Sequence, residues 1–309
     1  MRSIRQGSIR LFRVAGIDLF LHWSWFFVAA FEIGDRASRY SSLTWNVLEY
    51  LALFLIVMLH EFGHALACRQ VGGTANQIVL WPLGGVAYVS PPPRPGATIW
   101  SIAAGPLVNV ALLPGLWVFG VLSRSLGLAA AMPNFHTFLQ AVWFIDVGLL
   151  VFNMLPIYPL DGGQILRGLL WFVMGRARSL MAATIIGFAG AAGFIIMALR
   201  MQSAWFGILA VFMVMNCWKG WQQAQALSRF AKLPRHAGFA CPVCKVAPPV
   251  GSFWMCDQCK KLFDAFQTQA VCPNCAIQFA TTACLDCGKR NPMSHWSAAE
   301  LIPSKVAGV

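Results

Sequence analysis

Long runs of apolar residues restrict this chain more than any other feature of its sequence. Six of them approach or exceed the ~20 residues that a helix needs to cross the hydrocarbon core of a bilayer. Only 11% of the 309 residues are charged, about half the share found in an average soluble domain. The runs predict an α-helical polytopic membrane protein with about six transmembrane helices, over residues 17–33, 45–68, 98–122, 138–155, 180–199 and 204–218.

The net charge of +12 fits a membrane topology better than a nucleic-acid partner. If the N-terminus is cytosolic, most Lys and Arg residues before residue 240 lie on the cytosolic side, as the positive-inside rule expects. Residues 241–309 carry six basic and four acidic side chains, too weak an excess to hold a phosphate backbone. The sequence therefore predicts an integral multi-pass protein with both termini in the cytosol. The compact length favours a prokaryotic inner membrane, and nucleic acid is not an expected partner.

The second apolar run contains the stretch IVMLHEFGHALACR at residues 56–69. His60 and His64 are four residues apart, so a helix places them on one face, close enough to share a metal ion. Glu61 is then placed to take a proton from water rather than to bind the metal. Ionisable groups at membrane depth are costly and usually functional. We therefore expect a metal site. A polar cluster that joins helices and haem ligation are the alternatives.

Imidazole and carboxylate donors suit zinc, and a catalytic zinc site has three protein ligands and one open position. The candidates for the third ligand are the polar residues deep in the chain, namely Asp161, Asp146, His22 and His136. Asp161 lies at a compatible depth, because NMLPIYPLDGGQ follows the cytosolic end of the fourth run. The prolines and glycines of this segment break the helix, which is tolerated at membrane depth only inside protein or beside a watery cavity. Asp146 is interpreted as a paired polar contact.

These motifs resemble those of the site-2 protease family of intramembrane zinc metalloproteases. The resemblance covers roughly residues 15–220 and is carried by HEFGH at 60–64, PLGG at 82–85, AGPLVN at 104–109 and NMLPIYPLDGG at 153–163. It implies that His60, His64 and Asp161 bind one catalytic zinc ion and that Glu61 is the catalytic base.

The resemblance further implies which residues position the substrate. Asn153, Asn109 and His22 take that role, although both asparagines could instead join helices. The substrates implied are membrane-spanning helices of other proteins, cleaved in regulated intramembrane proteolysis.

The segment TANQIVLWPLGGVAYV at residues 74–89 is rich in strand-forming residues around Gly84 and Gly85. A substrate helix must unwind before it is cleaved, because its carbonyls are hydrogen-bonded. We therefore expect a small membrane-associated β segment whose edge pairs with the unwound substrate. The alternative is that this segment only plugs the cavity.

Eight of the ten cysteines form four CxxC pairs near the C-terminus. Eight thiolates at this spacing predict two structural zinc sites of four cysteines each. Disulfides are not expected, because the tail lies in the reducing cytosol. Consecutive pairs would form a double zinc ribbon, alternating pairs a cross-braced fold, and the first and third pairs are also similar to rubredoxin. The expected ligands are Cys241, Cys244, Cys256, Cys259, Cys272, Cys275, Cys284 and Cys287.

The sequence thus predicts a transmembrane metalloprotease domain at 1–232, a linker at 233–240, a cysteine-rich zinc-ribbon domain at 241–292 and a tail at 293–309. The predicted function is that of an intramembrane zinc metalloendopeptidase, with a cytosolic module that recruits or restricts substrates. The alternative is a non-catalytic membrane adaptor that binds a cytosolic protein partner through its zinc ribbons. An intact pair of Glu61 and Asp161 argues against the adaptor.

Overall fold

The computed structural model describes residues 7–35, 39–81 and 84–296. Two compact units are present. The first contains Met1–Pro91 and Pro95–Gln225, and the second contains Pro92–Arg94 and Ala226–Val309. Pro82 and Leu83 of the PLGG element and residues 297–309 of the predicted tail lie outside the described residues.

The first unit contains seven helices among its described residues. They are α1 Ser24–Asp35, α2 Leu43–Gln70, α3 Pro95–Ser125, α4 Leu128–Ala131, α5 Pro133–Asn153, α6 Asp161–Met201 and α7 Ala204–Ala231, the last of which extends into the second unit. Four of the helices that the structure describes, α2, α3, α5 and α6, are long and apolar enough to cross a bilayer. This confirms a mostly helical membrane protein.

The first predicted span differs from the prediction. Residues 17–33 form a strand and then the 12-residue helix α1. Twelve helical residues rise only about 18 Å, which is short of a ~30 Å hydrocarbon core. The last apolar run lies in α7, whose sequence becomes polar from Lys219 onward. The fifth run forms the second part of α6, after a kink at Gly175, where φ is 79°.

Four strands form one sheet beside α2: β1 Ser8–Val14, β2 Ile17–His22, β3 Thr74–Trp81 and β4 Gly84–Ser90, in that order. Strands β1 and β2 are antiparallel, β2 and β3 parallel, and β3 and β4 antiparallel. Ile17, Leu19, Ile78 and Leu80 are fully buried in one cluster with Ala65 of α2. The strands predicted around the glycine pair are therefore present, and β4 lies at one edge of the sheet.

The connection between α5 and α6 is non-helical, as its prolines predict. It packs closely against the first turn of α6. A Cβ atom added to Gly162 would lie 2.4 Å from the carbonyl oxygen of Met154, and one added to Gly163 would lie 2.3 Å from the nitrogen of Tyr158. Only glycine allows this approach, which fixes Asp161 at the start of α6.

The second unit contains two short antiparallel hairpins among its described residues. Trp254–Met255 (β5) pairs with Leu262–Phe263 (β6), and Thr282–Ala283 (β7) pairs with Arg290–Asn291 (β8). A 3-10 turn at Met293–His295 follows and leads to the buried Trp296.

Candidate metal centre

Three side chains predicted as metal ligands meet at one point inside the first unit. The Nε2 atoms of His60 and His64 lie 3.0 Å apart. The Oδ2 atom of Asp161 lies 3.0 Å from the His60 Nε2 atom and 3.4 Å from the His64 Nε2 atom. Metal–ligand bonds of about 2.0–2.1 Å place the ligands of a tetrahedral ion about 3.3–3.4 Å apart. Residues from α2 and from the start of α6, about a hundred positions apart, therefore form a donor set that fits zinc.

Both imidazole rings are oriented by hydrogen bonds on the side away from this point. The Nδ1 atom of His64 lies 2.9 Å from the backbone oxygen of Ser101. The Nδ1 atom of His60 lies 2.6 Å from the Oδ1 atom of Asn109. Each acceptor requires a proton on Nδ1, which leaves the lone pair of Nε2 for a metal ion.

The third helix leaves space for the rings at Gly105. A Cβ atom there would lie 2.3 Å from the Nε2 atom of His64 and 2.8 Å from that of His60. Any larger residue would therefore occupy the space between the ligand atoms. This fit supports an interpretation of the cluster as a metal site rather than as a polar contact between helices.

Glu61 is buried beside the two histidines. One of its carboxylate oxygens and one ring nitrogen of each histidine all lie within 4.8 Å of one another. It lines a cavity of about 970 Å³ together with His60, His64 and Asp161. A carboxylate in this position can exchange a proton with a group that reacts at the centre.

The walls of the cavity are largely apolar. They include side chains from α2, α5 and α7, among them Val57, Phe144, Ile145, Leu149, Phe152 and Phe212. Such a lining suits an apolar peptide segment, because the transfer of apolar side chains from lipid into this cavity costs little free energy.

A polar cluster that the sequence did not predict lies farther along α2. Glu49 lines the cavity 11 residues before His60, a rise of about 16 Å along the helix. Its carboxylate accepts a hydrogen bond from the Tyr40 hydroxyl and lies 3.4 Å from Nη1 of Arg39. The 11 residues between Glu49 and His60 make about three helical turns, which places both side chains on one face of α2. This spacing was the signal available in the sequence.

The residues predicted to position substrate fall into different places. Asn153, at the end of α5, lines the cavity. Gly84 and Gly85 begin the edge strand β4, opposite Trp81 and Leu80. These three positions remain candidates for contact with a substrate.

His22 and Asn109 lie farther from the cavity. The ring of His22 stacks on Trp81 at a centroid distance of 3.8 Å, and its Nδ1 atom lies 2.5 Å from the Ser24 hydroxyl. Trp81 lines the cavity, whereas His22 is not among its lining residues. Asn109 is fully buried, and its amide contacts His60 and Asp146. The role of Asn109 in positioning substrate therefore stays a prediction, while the structure shows its amide in contact with His60 and Asp146.

The eight tail cysteines form two clusters, but not the ones expected. The first and fourth CxxC pairs meet, with Sγ–Sγ distances of 3.7 Å for Cys241–Cys287 and 3.7 Å for Cys244–Cys284. The second and third pairs form the other cluster, with Sγ–Sγ distances of 3.5 Å for Cys256–Cys275 and 3.6 Å for Cys259–Cys272. All eight thiols are free of disulfide bonds. Bonds of 2.3 Å in a tetrahedral zinc site place sulfur atoms about 3.8 Å apart, so both clusters fit zinc.

This nested pairing replaces the predicted consecutive ribbons, and it is not the alternating arrangement either. The physical reason lies in the aromatic core of the second unit, where Phe266 contacts Phe239 before the first pair and Trp296 after the fourth. Trp296, which is fully buried, lies 4.6 Å from the ring of Phe266, which in turn lies 5.2 Å from the ring of Trp254. Phe263 is also buried, so these aromatic residues form a core rather than an exposed surface.

Hydrogen bonds lower the pKa of two ionisable groups in the second unit. A hydrogen bond from the Lys261 amide lowers the pKa of the Cys259 thiol to about 6, which favours the thiolate that binds metal. Burial by itself would raise the pKa of Asp264. Hydrogen bonds from the Gly251 amide, the His236 ring and the amides that follow outweigh it, so the pKa of this carboxyl lies below its usual range.

Comparison with known proteins gives one family match and several related proteins. The model of peptidase family M50 matches residues 49–134 and 125–198. A zinc metalloprotease of Methanocaldococcus jannaschii is 34% identical over 180 residues, which are 58% of this chain and 50% of the relative. Stage IV sporulation protein FB of Bacillus subtilis is 29% identical over 202 residues, 63% of this chain and 66% of the relative.

Among solved structures, a site-2 protease from Methanocaldococcus jannaschii matches with a TM-score of 0.51 and 26% sequence identity. The match covers 69% of this chain and 95% of that one. The chain spans about half to two thirds of the length of the curated relatives that it matches.

Proposed function

We propose that this chain, which matches the model of peptidase family M50 and the fold of a site-2 protease, is an intramembrane zinc metalloendopeptidase. Its substrates are membrane-spanning segments of other proteins, which it cleaves in regulated intramembrane proteolysis. The observation that carries the proposal is the convergence of His60, His64 and Asp161 beside Glu61, on the wall of an apolar cavity.

His60, His64 and Asp161 would hold the catalytic zinc ion. When bound, zinc supplies a Lewis acid that polarises the scissile carbonyl and lowers the pKa of water to about 7. Glu61 accepts a proton from the attacking water and returns it to the leaving amine nitrogen. The apolar walls limit access of bulk water, which strengthens these electrostatic interactions.

The edge strand β4 offers a means of holding the substrate in an extended conformation. One side of β4 pairs with β3, while no strand that the structure describes pairs with its other side. Trp81 and Val89, at the two ends of the β3–β4 pair, both line the cavity. We propose that an unwound substrate segment adds to this edge, with its apolar side chains in the cavity and Asn153 beside it.

The second unit would hold two structural zinc ions, one in each cysteine cluster. Four-cysteine sites have no open position for catalysis. We place this unit in the cytosol, with both chain termini, on the basis of the distribution of Lys and Arg. A prokaryotic inner membrane fits this topology. A cytosolic partner of the second unit would select or restrict substrates.

Cleavage of a defined reporter tests the proposed activity. The purified full-length protein in detergent is incubated with a single-span reporter whose transmembrane segment contains a Gly-Pro pair. The control reporter has an uninterrupted leucine span. We expect cleavage of the first and little cleavage of the second, because only the first exposes backbone carbonyls readily. Glu61→Gln should abolish cleavage and keep the zinc. A zinc-loaded protein that cleaves neither reporter would favour the adaptor function.

Proline substitutions in β4 test the role of the edge strand. Val86 and Ala87 are opposite Val79 and Ile78, and the amides of adjacent strand residues point to opposite sides. Of Val86→Pro and Ala87→Pro, one therefore removes an amide that faces the open edge, and the other removes an amide that faces β3. The variant whose missing amide faces the open edge should lose cleavage while it keeps zinc and thermal stability. Full activity of both variants would refute substrate pairing at this strand.

A further inference from the structure

A buried carboxylate on α5 is connected to the metal centre through one side chain. Asp146 is fully buried, at 0% exposure. Its Oδ1 atom accepts a hydrogen bond of 2.6 Å from the Nδ2 atom of Asn109 on α3. The Oδ1 atom of the same asparagine lies 2.6 Å from the Nδ1 atom of His60 on α2. Three helices therefore contribute one residue each to a continuous hydrogen-bonded row.

The direction of this row is set at Asp146. An asparagine amide has one donating and one accepting end, and its donating nitrogen requires an acceptor such as the Oδ1 atom of Asp146. With its nitrogen directed to Asp146, Asn109 must present its oxygen to His60. The His60 ring then donates from Nδ1, which leaves the Nε2 lone pair for the metal. A reversed amide would accept the opposite tautomer, whose Nε2 atom carries a proton and cannot bind zinc.

The other histidine ligand has no comparable requirement. His64 donates to the backbone oxygen of Ser101, inside α3. A main-chain carbonyl in a helix cannot reverse its donor and acceptor ends. Only His60 depends on a group that can rotate, so only His60 requires a second residue to fix that group.

We infer that Asp146 is a positioning residue of the metal centre, which acts through Asn109 to fix the orientation and tautomer of His60. This inference rests on the proposed zinc site. It differs from a role in joining helices, because the geometry of the row depends on an acceptor at position 146 and not on burial alone.

Zinc affinity of the full-length protein in detergent tests the inference. Metal retention is measured by mass spectrometry against a series of chelator-buffered zinc concentrations. The variant His60→Ala/His64→Ala identifies the share of zinc held in the membrane domain, and zinc in the second unit serves as an internal control. If wild type and this variant retain equal zinc, the proposed zinc site itself fails, whatever the role of Asp146.

Asp146→Leu should weaken zinc binding in the membrane domain by about 10- to 100-fold, the usual range for loss of such an outer residue. Asp146→Asn should stay within about threefold of wild type, because its amide oxygen can accept the same hydrogen bond. Thr184→Val is the matched control, since Thr184 is also fully buried and its hydroxyl bonds only to the Met181 carbonyl within α6. It should bind zinc as wild type does.

A double-mutant cycle separates positioning from packing. Asn109→Leu should weaken zinc binding about as much as Asp146→Leu, and the double variant should be no weaker than either. Multiplied losses in the double variant would overturn the inference. So would wild-type affinity in Asp146→Leu, or an Asp146→Asn variant that binds as weakly as Asp146→Leu.

Discussion

Gly105→Ala should weaken zinc binding in the membrane domain while it leaves the fold in place. The added Cβ atom would lie 2.3 Å from the Nε2 atom of His64, whereas ordinary contacts begin at 3.4 Å. The His64 ring must therefore move away by about 1 Å. The added Cβ atom cannot relieve the clash by shifting toward His60, because it would already lie 2.8 Å from the His60 Nε2 atom. A ligand atom displaced by 1 Å lies outside the ±0.2 Å within which metal distances are normally held.

The expected loss can be estimated from the cost of overpacking. Forcing one extra methyl group into a packed site costs about 1–3 kcal/mol. If moving the His64 ring out of its ligand position avoids about 2 kcal/mol of this cost, zinc binding must restore that cost. Zinc affinity then falls roughly 30-fold. Cleavage should fall at least as far, because a misplacement of about 1 Å can by itself cost 100-fold in rate.

Zinc titration and reporter cleavage are measured on the same purified samples. Gly115→Ala is the matched control, because Gly115 lies on the same helix and a Cβ atom there would meet nothing within 4 Å. It should behave as wild type in both assays. Wild-type zinc affinity in Gly105→Ala would show that the space between the imidazoles is not the metal position, and the site would need a different interpretation.

Further predictions concern the second unit and the catalytic base. Cys241→Ser with Cys287→Ser should lower the zinc content by one ion per chain, and Cys241→Ser with Cys256→Ser by two; consecutive ribbons would give the reverse in mass spectrometry. Asp264→Asn should destabilise the second unit by about 2 kcal/mol at pH 7, seen as faster thiol labelling, since hydrogen bonds to charged groups contribute about that much. Because the pKa of Asp264 is lowered by folding, this stabilisation is fully present above its usual pKa and is lost only as the pH falls through the folded value. Unchanged labelling would show that the carboxylate is dispensable. Glu61→Gln should bind zinc normally yet cleave at least 100-fold more slowly, and residual cleavage near the wild-type rate would exclude Glu61 as the base.

Much of the metal centre could be predicted because it depends on local helix geometry. The spacing of His60 and His64 places their rings together on any helix, and the structure adds only the exact distance. Asp161 was harder to predict, because its approach depends on the contact of Gly162 and Gly163 with the preceding connection. The motif NMLPIYPLDGG predicted the break in the helix, but not this contact.

The outer contacts of the site could not be predicted. Nothing in the sequence distance between Asn109 and Asp146 indicates that they meet, since helices α3 and α5 can pack in many registers. The same holds for Ser101, whose contribution is a backbone oxygen and therefore leaves no trace in residue type. The first predicted span was wrong because hydropathy alone does not distinguish a buried strand followed by a short helix from one long helix.

The sequence by itself determined that this chain is a membrane protein, that it carries a histidine pair with an adjacent glutamate, and that its tail has eight cysteines in four pairs. These properties depend on composition and on spacings of a few residues. Only the tertiary structure showed that Asp161 lies 3.0 and 3.4 Å from the Nε2 atoms of the two histidines, that Asn109 contacts His60, and that the cysteine pairs are nested. Each of these depends on which distant segments pack together, and that choice is made by the whole core and not by any local pattern.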